Sequence, residues 1–169
     1  MSESAAPAEA AVSPSVVPVP ESQNTELFSH IQTLLTNYLS SSPIYQLLLS
    51  SIVLCSASPN NVVLKLTVLP VHVNSKSILH GSLSATIVDL VGGLAVASAG
   101  SAKTGVSTDL HVSFVGAARE GDVLWIEGIA ERVGGTLGFT RVRIEKEVSG
   151  TGESGRALVA TGSHTKYVK

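Results

Sequence analysis

A short turn with a histidine and a glycine precedes the most apolar stretch of the sequence, and a carboxylate lies inside that stretch. His80-Gly81 stand immediately before a segment from Ser82 to Ala99, in which Asp89 is the one ionisable residue. The first turn of a helix has unpaired backbone N–H groups and a positive dipole end. The Gly81 N–H could therefore donate to a carbonyl oxygen that gains negative charge, which predicts an oxyanion hole. The alternative is an ordinary loop-to-helix turn capped by Ser82.

The apolar segment from Ser82 to Ala99 has the composition of a buried helix, which makes Asp89 and two glycines informative. An unpaired buried carboxylate costs several kcal/mol, so Asp89 either makes structural hydrogen bonds or faces a functional cleft. Gly92 and Gly93 each cost about 1 kcal/mol relative to alanine in a helix interior. We expect that another element packs closely against the helix there.

Other motifs give little support to competing chemistries. Residues Gly150 to Gly155 match a dinucleotide fingerprint literally, but a strand pattern follows where a helix is required, which predicts a hairpin loop. The sequence has no G-x-S-x-G motif, and its five histidines lack metal-ligand spacing. The single cysteine, Cys55, excludes an internal disulfide framework and any site that needs several thiolates. No metal site is expected.

The elements that must position these residues follow from composition and periodicity. With 169 residues, 44% of them hydrophobic and 14% charged, the chain suits one domain with a substantial core. We expect a flexible, proline-rich tail over 1–22 and a single domain over 23–169. Expected helices cover Thr25 to Ser40, Ile44 to Leu49 and Ser82 to Ala99. Expected strands cover Ile52 to Cys55, Val62 to Leu69, Val106 to Val115, Val123 to Val133, Thr136 to Val148 and Arg156 to Val168. This order is typical of an α+β fold with an antiparallel sheet.

Charge and composition bear on partners and location. The net charge is −2 and aromatic residues are 4%, so nucleic acid is not an expected partner. The first basic residue is Lys65, so the N-terminal part lacks the basic character of a secretory signal or a transit peptide. A cytoplasmic location is the default expectation, with a mitochondrial one left open. Asp89 and the glycine pair favour a buried core helix over membrane insertion.

Several blocks of residues in matching register resemble one known family. Asn74, His80-Gly81 and Asp89 come first, and the blocks Gly105 to Leu110, Gly134 to Phe139 and Gly162 to Lys166 follow them. Together they resemble the hotdog-fold acyl-CoA thioesterases, and among these the group called thioesterase superfamily member two. The resemblance covers about residues 44–169. It implies a hotdog fold, with the central helix in a curled antiparallel sheet, an additional N-terminal helix, and homodimers that pair into a homotetramer.

The resemblance also implies an activity and the residues that perform it. The protein would hydrolyse an acyl-CoA thioester to a free acid and CoA, with no cofactor beyond the CoA of the substrate. Asn74 and the Gly81 N–H would hold the thioester carbonyl, and His80 would support that turn. Asp89 of the facing protomer would act as general base or nucleophile, and Ser107 would orient the attacking water. Where the family often has a second glycine after His-Gly, this sequence has Ser82.

The CoA moiety would follow two segments. These are Phe114, Val115, Gly116, Ala117, Ala118 and Arg119 in the first, then Arg132, Val133, Gly134, Gly135, Thr136 and Leu137 in the second, with Tyr167 near the end of the path. Arg119 and Arg132 are the expected phosphate contacts, because a guanidinium pairs bidentately with phosphate oxygens. The Gly134-Gly135 turn lacks a lysine that related sequences can carry there.

Two other functions remain open. The protein could be a hotdog module that binds acyl-CoA without turning it over. It could also be a hotdog dehydratase acting on a hydroxyacyl thioester, although the central helix contains no glutamate that would support this chemistry.

Overall fold

The computed structural model describes residues 25–148 and 155–169. The helices are α1 (Thr25–Ser41), α2 (Pro43–Leu49) and α3 (Gly81–Ser98). The strands are β1 (Val53–Ser58), β2 (Asn61–Thr67), β3 (Val106–Phe114), β4 (Val123–Val133), β5 (Leu137–Val148) and β6 (Gly155–Tyr167). This order confirms the elements predicted from the sequence, with ends that differ by up to three residues. The predicted tail over 1–22 and most of the predicted loop over 150–155 lie outside the described residues.

The two N-terminal helices form one unit that packs on the rest of the domain. Ile31 and Leu35 of α1 are buried, and α1 contacts α2, α3 and β1. Between the helices, the Ser42 hydroxyl accepts a hydrogen bond from the Tyr45 N–H at 3.5 Å. Pro43 occupies the first turn of α2, where its missing N–H leaves no helical hydrogen bond unmade.

The described strands form one antiparallel sheet of six, in the order β1-β2-β4-β5-β6-β3. Buried and exposed residues alternate along β2, β4 and β5, as expected when one face covers a core and the other faces solvent. Strand β3 lies at an edge beside β6, pairing from Val106↔Tyr167 to Phe114↔Ala160. In the described residues its other edge has no neighbouring strand.

The sheet curls around α3, which packs on five of its six strands. Of the 18 residues of α3, 13 are buried. By length and composition alone this helix could also cross a membrane, so its burial inside the sheet is what identifies it as the core helix. The five residues that are not buried, Gly81, Ser82, Ala85, Thr86 and Asp89, all lie in its first half, and the burial of the rest explains its largely apolar sequence.

Gly92 and Gly93 are two places where neighbouring elements approach the backbone of α3 closely. A Cβ atom at Gly92 would lie 2.9 Å from both His164 Nδ1 and Thr140 Oγ1. A Cβ atom at Gly93 would lie 3.0 Å from Thr104 Cβ. The prediction that the glycine pair allows close packing is confirmed, and the groups it makes room for are largely polar.

Candidate active site

A short loop holds the predicted carbonyl-binding residues together before α3 begins. A β-bridge pairs Val73 with Leu79, and the His80 N–H donates to the His72 carbonyl oxygen at 2.8 Å. The Leu79 N–H donates to the Ala118 carbonyl oxygen at 2.8 Å, which ties the loop to the segment that follows β3. Asn74 and Gly81 therefore belong to one hydrogen-bonded turn.

Asn74 is held in this turn by its side-chain oxygen. Asn74 Oδ1 accepts hydrogen bonds from the N–H of Lys76 at 2.8 Å and of Ile78 at 3.4 Å. The Asn74 N–H donates to the Ile78 carbonyl oxygen at 2.8 Å. The side-chain oxygen thus anchors the turn, and the Nδ2 amide, the donor of this side chain, is the group that can donate to a substrate.

Helix α3 begins at Gly81, one residue earlier than predicted, and its cap is His80. His80 Nδ1 accepts from the Ser82 N–H at 3.1 Å and lies 2.7 Å from Ser82 Oγ. The alternative that Ser82 caps the helix is therefore wrong, because Ser82 lies in the first turn and its amide is the group being capped. The Gly81 N–H has no acceptor among the described residues, and it is the amide that an oxyanion could use.

Asp89 lies two turns further along α3, and both of its carboxylate oxygens accept hydrogen bonds. Oδ2 accepts from the Tyr45 hydroxyl at 2.7 Å. Oδ1 accepts from Ser107 Oγ at 3.0 Å and from Lys166 Nζ at 3.2 Å. The side chain remains 37% exposed, whereas that of Lys166 is 5% exposed. Asp89 is thus a hydrogen-bonded carboxylate that also faces a cavity, so it combines the two roles that the sequence left as alternatives.

The surroundings of Asp89 keep it ionised. Burial alone would raise the pKa of Asp89, but hydrogen bonds from Tyr45 and Ser107 and the charge and hydrogen bond of Lys166 lower it below its ordinary value. Burial lowers the pKa of Lys166, and the neighbouring Asp89 carboxylate opposes that effect. An ionised carboxylate at neutral pH is the form that can accept a proton or attack a carbonyl carbon.

His164 is buried beneath the carboxylate. Its Nε2 lies 3.6 Å from Asp89 Oδ1, and neither ring nitrogen has a hydrogen-bond partner among the described residues. Burial and the charge of Lys166 lower the pKa of His164, so its imidazole is neutral at pH 7. The ring fills the space that Gly92 leaves open.

Sequence reasoning missed three residues of this cluster, namely Tyr45, His164 and Lys166. The signal for two of them was present in β6, where alternate residues share a face. Ala160, Gly162, His164 and Lys166 all lie on the buried face, so two ionisable side chains stand where apolar ones are expected. Tyr45 carries no such signal, because nothing in the sequence shows which side of α2 packs against α3.

The predicted CoA segments fall at opposite ends of β3. Phe114 lies beside Gly81, since a Cβ atom at Gly81 would lie 3.1 Å from the Phe114 ring. Most residues from Phe114 to Arg119 are exposed, but Ala118 is fully buried. Arg132 to Leu137 lie near the other end, where Leu137 pairs with Tyr167 and Tyr167 pairs with Val106. The nine residues of β3 are eight steps of about 3.3 Å apart from end to end, so the strand separates these two groups by about 26 Å.

The two chemical clusters are also apart within one chain. Gly81 and Asp89 lie on the same helix, and eight residues at 1.5 Å each separate them by about 12 Å. The carbonyl-binding turn and the carboxylate are therefore not brought together by a single chain. In the described residues no group of three or more His, Cys, Asp or Glu side chains could hold a metal ion.

Comparisons with known proteins agree with this architecture. A family model described as the thioesterase superfamily matches residues 76–153. Acyl-coenzyme A thioesterase 13 of Homo sapiens is 32% identical over 124 residues, which cover 73% of this chain and 84% of that protein. The crystal structure of zebrafish thioesterase superfamily member 2 aligns with a TM-score of 0.71 and 29% identity, covering 82% of this chain and 98% of that one.

A second solved structure supports the fold. Thioesterase superfamily member 2 from Mus musculus aligns with a TM-score of 0.70 and 24% identity, covering 85% of this chain and 98% of that one. The expected arrangement of a central helix within a curled antiparallel sheet, with an additional N-terminal helix, is confirmed. The chain has the hotdog fold and belongs to the thioesterase superfamily.

Proposed function

We propose that this protein is an acyl-CoA thioesterase that hydrolyses an acyl-CoA thioester to a free acid and CoA. The observation that carries the proposal is Asp89, an ionised, hydrogen-bonded carboxylate that faces a cavity on the core helix of a thioesterase fold. Its similarity to acyl-coenzyme A thioesterase 13 over most of the chain supports acyl-CoA as the substrate class.

The chemistry divides between the two clusters. The Gly81 N–H and Asn74 Nδ2 donate to the thioester oxygen and stabilise the negative charge that develops on it. As general base, Asp89 removes a proton from water while the water oxygen bonds to the carbonyl carbon. As nucleophile, Asp89 itself forms that bond, and water then cleaves the resulting anhydride. In both cases the C–S bond breaks and the CoA thiolate takes up a proton.

The separation of the clusters favours a site shared between two protomers. Strand β3 offers a free edge, and Val106, Phe114 and Val115 on or next to it are exposed hydrophobic residues. If two copies pair their β3 edges antiparallel about a two-fold axis, the start of one β3 lies beside the end of the other. This brings Asp89 and Ser107 of one protomer towards the Gly81–Phe114 region of its partner.

The same pairing would join the two predicted CoA segments. Arg132 to Leu137 lie at the start of β3 and Phe114 to Arg119 at its end, so a two-fold axis brings one protomer's first group beside its partner's second. Arg119 and Arg132, both exposed, are then available for the phosphates. Pairing of such dimers into a homotetramer stays a prediction from the family resemblance.

The direct test is thiol release from a panel of acyl-CoA substrates with short, long and aryl acyl groups. We expect purified protein to release CoA from at least one class without added metal. Melting temperatures with and without CoA provide a second measurement on the same samples. If no substrate is hydrolysed although CoA ligands raise the melting temperature, the protein is instead an acyl-CoA-binding module.

A further inference from the structure

Tyr45 connects the N-terminal helices to the carboxylate of the site. It lies on α2, and its hydroxyl donates to Asp89 Oδ2 at 2.7 Å, the shortest hydrogen bond that this carboxylate makes. Its own position is fixed by the Ser42 hydroxyl, which accepts from the Tyr45 N–H. Helix α2 packs against both α1 and α3, so the hydroxyl is delivered by a helix outside the curled sheet.

The two oxygens of Asp89 are not equivalent. Oδ1 accepts two hydrogen bonds, from Ser107 and from Lys166, so both of its lone pairs are used. Oδ2 accepts a hydrogen bond from Tyr45 alone among the described residues. One lone pair of Oδ2 is therefore left to accept a proton or to attack a carbonyl carbon. The hydrogen bond from Tyr45 holds Oδ2 in place.

A cavity of about 310 Å³ lies beside this carboxylate. Tyr38 of α1 and Tyr45 of α2 both line it, and Thr104, Ser107 and Lys166 contribute polar groups. The Tyr38 hydroxyl lies 2.8 Å from Thr104 Oγ1 and makes no hydrogen bond to Asp89. Both tyrosines therefore line one cavity, and of the two only Tyr45 donates to the carboxylate.

We infer that Tyr45 is a positioning residue that fixes Oδ2 of Asp89 with one lone pair open, and so makes Oδ2 the reacting oxygen of the site. The inference rests on the proposed thioesterase function and adds to it a residue from the N-terminal helices. A phenol hydroxyl donates better to a carboxylate than to a carboxylic acid, so Tyr45 also favours the ionised form that reacts.

Groups from other elements packed against α3 also face Asp89. Lys166 and His164 approach it from β6 and Ser107 from β3, and Tyr38 of α1 lines the same cavity. Tyr45 stays protonated at neutral pH, because burial and the Asp89 carboxylate both raise its pKa. Loss of the Tyr45 hydroxyl alone leaves Lys166 and Ser107 in place. Asp89 then keeps both hydrogen bonds to Oδ1 and loses the one to Oδ2.

The test compares Tyr45→Phe with Tyr38→Phe, because each removes one hydroxyl from a tyrosine that lines the same cavity. For Tyr45→Phe we expect the acidic limb of the kcat/KM profile to move to higher pH, with a loss that grows towards about tenfold at the acidic end of the profile and is smaller at pH 8. Tyr38→Phe should keep the acidic limb of the wild type. An unmoved limb in Tyr45→Phe, at a melting temperature close to that of the wild type, overturns the inference.

A second measurement does not depend on turnover. The ¹³C chemical shift of the Asp89 carboxyl, assigned by its absence in Asp89→Asn, reports the titration of that group directly. We expect this titration to occur at higher pH in Tyr45→Phe than in the wild type and in Tyr38→Phe. Identical titrations in all three proteins overturn the inference. Absence of hydrolysis by the wild type refutes the proposed function instead, and the titration still decides the role of Tyr45.

Discussion

The imidazole of His164 lies against the backbone of Gly92, so close that a single methyl group would not fit between them. A Cβ atom at Gly92 would lie 2.9 Å from His164 Nδ1 and equally close to Thr140 Oγ1. The same imidazole is 3.6 Å from Asp89. The glycine is therefore the feature of α3 that allows β6 to bring His164 and Lys166 under the carboxylate.

Replacing that glycine should destabilise the protein. We expect Gly92→Ala to lower the free energy of unfolding by about 1–2 kcal/mol, because overpacking outweighs the higher helix propensity of alanine. Denaturant unfolding measures this change. Gly135→Ala is the control, since a Cβ atom there meets nothing within 4 Å. A Gly92→Ala protein as stable as the wild type contradicts the close approach of His164.

Stability should fall as the pH decreases from 7 to 5. Burial lowers the pKa values of His72 and His164, so in this range the unfolded chain binds protons that the folded chain does not. His72→Asn should weaken this dependence, because asparagine does not titrate in this range. Asparagine can still accept the hydrogen bond from the Leu69 N–H that His72 Nδ1 accepts at 3.0 Å. Melting temperatures at pH 7 and pH 5 measure the pH dependence of stability.

The control for this comparison is His30→Asn, at an exposed position on α1. The dependence in His72→Asn should be reduced and not abolished, because His164 still contributes. If the melting temperature falls equally between pH 7 and pH 5 in His72→Asn and in the wild type, His72 is not neutral and buried in the folded protein.

Lys166 should matter most for activity at acidic pH. Methionine keeps the length and apolar stem of the side chain but removes the cation that lowers the pKa of Asp89. We expect Lys166→Met to move the acidic limb of kcat/KM to higher pH, with a loss that grows towards about tenfold at the acidic end of the profile. Lys146→Met, which removes a lysine paired with Asp122 at 3.2 Å, is the matched control. Similar pH profiles for both variants contradict the role given to Lys166.

Most of the fold could be predicted because the sequence patterns are local. Helix periodicity in α1, alternation in β4 and the apolar character of α3 each reflect which residues are buried. Ends were less predictable, since the start of α3 depends on the His80 side chain, which caps the Ser82 amide. That contact is a property of the folded turn and not of the composition.

From the residue pattern alone the candidate site was predictable only where one element carries it, whereas Ser107 on β3, which contacts Asp89, came from the family resemblance. The His-Gly turn and Asp89 stand on the same helix, so their spacing was visible in the sequence. Tyr45 and Lys166 also contact Asp89, but they are separated from it by 44 and 77 positions in the sequence. Such contacts depend on how α2 and β6 pack on α3, which a single sequence does not specify.

A site shared between protomers should show complementation. Asn74→Ala and Asp89→Asn each disable a different half of the site, so each protein alone should be inactive. After unfolding and refolding together, half of the dimers are mixed and each has one intact site, which gives about a quarter of the wild-type activity. No recovery, with mixed dimers demonstrated by mass spectrometry, contradicts the shared site.

The most direct test of the account is the activity of Asp89→Asn beside the wild type, measured as thiol release from the acyl-CoA that the wild type hydrolyses best. Asparagine has nearly the same shape but is not a base or a nucleophile, so we predict a loss of about 100-fold or more in kcat. Glu26→Gln, at an exposed position in the first turn of α1, should remain active. Near-wild-type hydrolysis by a folded Asp89→Asn protein would contradict the central claim that this carboxylate performs the chemistry.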